Sequence, residues 1–135
     1  MRKLFKRIAM STAVTAMAAG GVAVMPSVAE AASYNGACGS GYSVVDSLPL
    51  AEGTVFLTYN SSNGYNCVVT VRTSSSSYLK SMDAGIRLSG GTWVSDGGFY
   101  TTYAGPVRIY AAHSCIDWQG TIDGEVIHQY NSHCG

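Results

Sequence analysis

The sequence predicts an all-β fold, a small antiparallel sandwich or barrel cross-linked by two disulfides. Short runs of alternating apolar and polar residues recur from Tyr42 onward, and no window sustains a helical period. Turn residues such as Gly, Asn, Asp and Ser separate these runs. The chain also contains four cysteines, an even number that is typical of small exported domains with disulfides.

The first 31 residues are predicted to be a secretory signal peptide. The basic start MRKLFKR is followed by an apolar run rich in Ala, Val and Met, and then by the small-residue pattern Ala29-Glu30-Ala31. We expect cleavage after Ala31, which leaves residues 32–135 as a single domain. An uncleaved membrane anchor is the alternative, but polar residues and the Gly20-Gly21 pair interrupt the apolar run.

Removal of the signal peptide changes the charge of the protein. Four basic and seven acidic residues remain, which gives a formal charge of −3. The four cations are scattered along the chain: Arg72, Lys80, Arg87 and Arg108. Because phosphate binding requires clustered basic side chains, we expect no nucleic-acid partner. For the same reason we expect no membrane association after cleavage.

The first three strands are predicted in GYSVVDSLPL, GTVFLTY and NCVVTVRT. Pro49 ends the first of them. In the third strand, Cys67, Val69 and Val71 share one face because side chains alternate along a strand. Between the second and third strands, Asn63-Gly64 predicts a tight hairpin turn, since both residue types tolerate positive φ angles.

The middle of the chain is less clear. In SSSSYLKSMDAG the serines predict a loop, and residues 78–84 fit either a short helical turn or the start of a strand. Beyond it, GIRLSG, TWVS, GFYTTYAG and PVRIYAA predict short strands bounded by glycine or proline. We expect Pro106 to open its strand, where its missing N–H removes no hydrogen bond from the sheet.

The closing hairpin is predicted around Asp123-Gly124, with Gln119 opposite His128. In this register the residues expected on the core face are Ile116, Trp118, Ile122 and Ile127, together with His133 if strand geometry continues that far. The residues expected on the solvated face are Cys115, Asp117, Gln119, Val126, His128, Tyr130 and Cys134.

The same hairpin suggests a disulfide arrangement. Cys115 and Cys134 share a face, and a direct or bulged register would bring them within bonding distance. By elimination, Cys38 would then pair with Cys67. Four cysteines allow three connectivities, and a bond between Cys38 and Cys134 is the main alternative. A zinc site is less well supported, because zinc ligands usually occur in close pairs.

No catalytic, cofactor or metal site is predicted. His113 and His128 would lie too far apart on the hairpin to share a metal. The side chain of His133 would point to the opposite face of the sheet. Asp117, His128 and Ser132 supply the residue types of a catalytic triad, but no nucleophile turn or oxyanion-hole motif accompanies them. We therefore expect a protein that is not an enzyme and that requires no cofactor.

Several segments together resemble the spore-associated protein A family of filamentous actinomycetes. They are YNGACGSGY, GTVFLTYNSSNGYNCVVTVR, YTTYAGPVRIYA, SCIDWQG and QYNSHCG. The resemblance spans about Tyr34 to Gly135 and includes all four cysteines, although residues 74–93 carry no recognised motif. It implies a small secreted protein that accompanies spores, and it supplies no catalytic residues.

Two classes of function follow. The first is a secreted, noncatalytic protein of the spore surface or cell envelope, which contacts spore-coat or cell-wall components through aromatic side chains. The candidates for this contact are Tyr59, Tyr65, Trp93, Tyr100, Tyr103 and Tyr110. Aromatic residues also build ordinary cores, so burial is the competing interpretation for each. The second class is a small secreted protease inhibitor, a lytic enzyme or a glycan-binding module.

Overall fold

The computed structural model describes residues 31–135, and this range contains β-strands and no helix. The predicted signal peptide therefore lies outside the described residues, apart from Ala31. In residues 31–135 no helix could cross a membrane. The strands of the described range are β1 (Ser43–Leu50), β2 (Gly53–Asn60), β3 (Tyr65–Arg72), β4 (Lys80–Leu88), β5 (Val94–Ser95), β6 (Gly98–Tyr100), β7 (Tyr103–Tyr110), β8 (Ile116–Ile122) and β9 (Glu125–Ser132). The predicted all-β class is confirmed.

The strands form two antiparallel sheets. Sheet A has the order β1-β2-β3-β7, and sheet B has the order β5-β4-β8-β9, with β6 also paired to β4. The sheets face each other, with β7 packed against β4 at one side and β1 approaching β9 at the other. Within the described chain no hydrogen-bonded pair of strands joins the two sheets, so the fold is a sandwich and not a closed barrel.

The main core lies between the sheets and centres on Trp118, which is fully buried. Ile116 and Ile122 are buried beside it, as the closing hairpin predicted. Ile127 is only partly buried, because it lies on β9 at the edge of sheet B. The sheets approach closely at Gly120, where an added Cβ would collide with the side chain of Val55.

A smaller core covers the other face of sheet A. Residues 32–38, here called the N-terminal strap, lie across this face and place Tyr34 against Phe56, with ring centroids 5.7 Å apart. The backbone N–H of Ala32 donates to the Thr54 hydroxyl at 3.1 Å, and the Cys38–Cys67 disulfide holds the other end of the strap. Strands β2 and β3 are therefore buried on both faces.

The two predicted hairpins are present, with different turns. At Asp123-Gly124 both residues have positive φ angles, 52° and 90°, and Ile122 pairs directly with Glu125, so the two-residue turn is confirmed. The first hairpin has a four-residue loop, residues 61–64, between the paired ends of β2 and β3. Gly64 alone of the Asn63-Gly64 pair has a positive φ, 78°, so the tight turn predicted for the pair is wrong.

Two other predictions in the middle of the chain are now decided. The ambiguous segment becomes a strand from Lys80, where β4 begins. Pro106 does not open its strand, because β7 already begins at Tyr103. It lies where the register of β3 against β7 shifts between Val68 and Thr70, on the edge strand of sheet A. A bulge on an edge strand tolerates the missing N–H as well as a strand start does.

Both predicted disulfides are formed. Cys115 is bonded to Cys134, with Cα atoms 3.7 Å apart, and Cys38 is bonded to Cys67, with Cα atoms 6.1 Å apart. Gln119 pairs with His128 as predicted, and the register then shifts between Ile116 and Trp118. This bulge brings the two cysteines of the closing hairpin together, as the bulged alternative required.

Candidate binding surface

The six candidate contact aromatics do not form one surface. Three are exposed: Tyr65, Tyr103 and Tyr110, at 39%, 39% and 59% of their accessible area. The other three, Tyr59, Trp93 and Tyr100, are partly buried. Tyr65 and Tyr110 make an edge-to-face contact with centroids 5.9 Å apart, whereas the Tyr100 hydroxyl donates to the Asp96 carboxylate at 2.7 Å. The structure therefore distributes these residues over different parts of the sandwich.

Trp93 belongs to a stack of planar side chains on the face of sheet B that points away from the core. The Arg87 guanidinium lies 4.6 Å from the centroid of the Trp93 ring and 5.9 Å from that of Tyr130. Tyr130 in turn stacks on His128, with centroids 4.4 Å apart and planes inclined by 20°. Trp93, Arg87, Tyr130 and His128 are called the aromatic stack below. Guanidinium–ring attraction and ring–ring packing hold such an arrangement together.

The position of Trp93 depends on a glycine beneath it. A Cβ at Gly85 would lie 3.4 Å from Trp93 Cε3 and 3.3 Å from Gln119 Cγ, so the absence of a side chain lets the indole lie close to the sheet. Hydrogen bonds hold the loop that carries Trp93 against the sheet. Ser89 N–H donates to the Cys115 carbonyl at 3.0 Å, and the Arg87 guanidinium donates to the Gly91 carbonyl at 3.2 Å.

A buried carboxylate anchors the aromatic stack from below. Asp117 was predicted on the solvated face, but it is 3% exposed, so that prediction is wrong. Its oxygens accept hydrogen bonds from Arg87 Nε at 2.7 Å, the Ser89 hydroxyl at 2.7 Å and Asn131 N–H at 2.9 Å. The alternation of side chains along the strand placed Asp117 on the correct face of β8. It did not predict that other side chains cover Asp117 and exclude the solvent.

The electrostatics of this anchor favour a permanent ion pair. Burial raises the pKa of the Asp117 carboxyl, but the hydrogen bonds from Asn131, Ser89 and Arg87 and the charge of Arg87 outweigh burial and lower the pKa to about 2. The carboxylate is therefore ionised at neutral pH and compensates the guanidinium. The aromatic stack presents planar groups with little net charge.

The residue types of a catalytic triad do not converge. Asp117 is bonded to Arg87, Ser89 and Asn131, and His128 stacks on Tyr130. The Ser132 hydroxyl accepts from the Trp118 indole at 3.2 Å and lies 3.4 Å from the Ile116 carbonyl, to which it donates. No group of three or more His, Cys, Asp or Glu side chains in residues 31–135 is arranged to hold a metal ion.

A cavity lies at one end of the sandwich. This end cavity has a volume of about 320 Å³, and its lining residues are Val45, Tyr59, Asn66, Ala111, His113, His133 and Gly135. His133 Nε2 lies 2.9 Å from the Asp46 carboxylate, which links the segment after β9 to β1. His133 also packs edge-to-face against Trp118, with centroids 6.4 Å apart, so its predicted core-side position is partly realised.

Most of both features could not be predicted from the sequence. Parity alone placed His128 and Tyr130 on one outer face, which is correct. It gave no sign that Arg87 of the neighbouring strand β4 lies between Tyr130 and Trp93. No pattern within a single segment of the sequence indicates the end cavity, because its residues come from β1, β2, β3 and the segments after β7 and β9.

The chain is 42% identical over 130 residues to spore-associated protein A of Streptomyces coelicolor, and the match covers 92% of this chain and 84% of that protein. No protein-family model matches the chain, and no solved structure matches it. Identity at this level across nearly the whole chain shows that the chain belongs to the spore-associated protein A family.

Proposed function

We propose that the protein is secreted, has no catalytic activity, and is retained at the spore surface by the face of sheet B that carries the aromatic stack. The name of the relative supports an association with spores, and two disulfides are typical of proteins that leave the cytoplasm. The observation that carries the proposal is the aromatic stack itself. It arranges aromatic side chains at a surface where no described segment covers Tyr130 or Val126, which are 50% and 54% exposed.

The composition of this face indicates the type of contact it makes. Aromatic and arginine side chains are enriched where proteins contact their partners, because they bury much area and also form hydrogen bonds. Since Asp117 compensates Arg87, attraction to a charged polymer contributes little. We therefore infer contact with spore-coat or cell-wall components by packing and hydrogen bonding. The opposite outer face, on sheet A, is partly occupied by the N-terminal strap.

Retention on purified spores tests the proposal. Trp93→Ala and Tyr130→Ala variants should each bind about 5- to 30-fold more weakly than the parent, the range expected for a contact residue at an interface. Tyr110→Ala is the matched control, because Tyr110 is also exposed but lies on sheet A. Circular dichroism and intact disulfides would establish that the variants are folded. Equal retention of all three variants would contradict the proposed surface.

Salt provides a second readout of the same surface. Because the stack carries little net charge, retention should persist in about 1 M NaCl, where charge–charge attraction is screened within about 3 Å. Release of the parent protein by salt alone would instead indicate binding through scattered charges.

We also propose that cleavage after Ala31 releases residues 32–135. In the structure Ala32 is 9% exposed and its N–H is bonded to Thr54, so the strap is anchored from its first residue. The intact mass of the secreted protein should correspond to residues 32–135. A mass that includes the predicted signal peptide would refute this part of the proposal.

A further inference from the structure

We propose that the end cavity is a binding site for one neutral sugar residue. This inference concerns a different part of the molecule from the aromatic stack and does not depend on it. The volume of about 320 Å³ is at the lower end of the range for ligand pockets, about 300–1,000 Å³, so the cavity suits a single ring and not an extended chain.

The lining combines an apolar wall with polar groups, as sugar recognition requires. Val45, Tyr59 and Ala111 offer apolar surface to the C–H groups of a pyranose ring. Asn66, which is 4% exposed, lines the same cavity, and its side chain makes one long hydrogen bond among the described residues, at 3.4 Å to the Ala111 carbonyl. An amide has two N–H donors and a carbonyl acceptor, so Asn66 retains capacity for hydroxyl groups.

The two histidines of the cavity have an unusual backbone conformation. His113 and His133 have φ angles of 60° and 54°, in the left-handed region that few residues other than glycine adopt. Such conformations cost free energy and are concentrated at ligand sites. The His113 imidazole is exposed and has no hydrogen-bond partner among residues 31–135, whereas His133 uses Nε2 for Asp46 and keeps Nδ1 for another group.

Charge at the cavity selects a neutral ligand. No lysine or arginine among residues 31–135 lines it, and the Asp46 carboxylate beside His133 disfavours an anion. A purely apolar ligand would offer no partner to the remaining polar atoms of Asn66, to the His113 imidazole or to Nδ1 of His133, which is unfavourable in a partly buried site. A neutral ring that carries hydroxyl groups avoids repulsion by Asp46 and supplies hydrogen-bond partners to the polar groups of the cavity. It is supplied either as a free sugar or as the terminal residue of a wall glycan.

Titration of isotope-labelled protein by NMR tests the inference. The probes are glucose, N-acetylglucosamine and chitotriose, with phosphate and indole as anionic and apolar comparisons. Backbone amides of Asn66, Ala111 and His113 should shift in a saturable way with at least one sugar, with a dissociation constant on the order of 1 mM. Tighter binding of chitotriose than of N-acetylglucosamine would assign the site to a glycan end, and equal binding would assign it to the free sugar.

Two variants locate the contact. His113→Asn keeps a residue that tolerates a positive φ, and Tyr59→Leu keeps an apolar side chain; each should weaken binding about tenfold. His128→Asn, in the aromatic stack, is the matched control and should bind as the parent does. The proposal is overturned if no sugar shifts the cavity amides of the parent, if His113→Asn binds with parental affinity, or if phosphate or indole binds there more tightly. Spore retention is not measured in this experiment, so its outcome is separate from that of the proposed function.

Discussion

Replacement of Asp117 by asparagine tests the anchor beneath the aromatic stack. Asparagine has nearly the same shape, so its carbonyl oxygen can still accept from Ser89 and Asn131. It has no charge, however, and cannot form the 2.7 Å ion pair with Arg87 Nε. The guanidinium then lies between two rings without its carboxylate. We expect a folded protein that is less stable than the parent.

The magnitude follows from the pKa of Asp117. Its fall from 3.8 to about 2 corresponds to about 2–3 kcal/mol, at about 1.4 kcal/mol for each pKa unit. The Arg87 side chain is 24% exposed, and screening by solvent reduces this value to about 1–2 kcal/mol. The hydrogen bond from Arg87 is already one of the causes of this shift. The free energy of unfolding at pH 7 should therefore decrease by about 1–2 kcal/mol.

The pH dependence provides the sharper test. The pKa is lower in the folded protein than in the unfolded chain, so the unfolded chain takes up the proton first as the pH falls. The stability that the carboxylate contributes is complete above about pH 4 and is lost as the pH approaches about 2. The difference in the free energy of unfolding between the parent and Asp117→Asn should consequently become smaller as the pH falls from 4 to 2.

Urea unfolding monitored by tryptophan fluorescence measures this difference, because Trp118 is fully buried in the folded state. Asp123→Asn is the control, since its carboxylate lies at an exposed turn, 3.3 Å from Lys80. This control should unfold at the midpoint of the parent. If Asp117→Asn matches the parent at pH 7, or if the gap between them is unchanged at pH 2, the reasoning about the buried ion pair is wrong.

Two further predictions concern the core and the closing hairpin. Joint replacement of Cys115 and Cys134 by serine should lower the free energy of unfolding by about 2–4 kcal/mol, because the bond restricts the unfolded chain; an unchanged urea midpoint would argue against this. Gly120→Ala should destabilise the protein by about 1–3 kcal/mol, since its Cβ would collide with Val55. Gly97→Ala has only ordinary contacts at 3.6 Å or more and should melt as the parent does; equal melting temperatures for both alanine variants would disprove the packing argument.

Local turn chemistry explains why the closing hairpin was predictable. Asp123-Gly124 fixes a two-residue turn, and the turn fixes the register that places Gln119 opposite His128. The disulfide prediction followed from the shared face of Cys115 and Cys134, and the bulge between Ile116 and Trp118 brings the two cysteines together. The same reasoning was less accurate for the first hairpin, because Asn63-Gly64 is part of a longer loop there.

Contacts between distant parts of the chain explain what was missed. The burial of Asp117 depends on Arg87, 30 positions away, and on the loop that carries Trp93. The position of Pro106 depends on how β7 pairs with β3. The end cavity depends on how the chain leaves β7 and β9, where strand parity no longer applies. None of these arrangements is encoded by residue spacing within one strand.

The N-terminal strap also has a consequence for the dynamics of the molecule. Strands β2 and β3 are covered on both faces, so their amides should exchange with solvent most slowly, near the rate set by global unfolding. Strand β9 lies at an edge and most of its side chains are exposed, so local opening should release its amides first. Tyr130 and His128 belong to this edge strand. The sandwich is thus stiffest on the side of the strap, and it is most able to adjust its shape where the proposed spore contact lies.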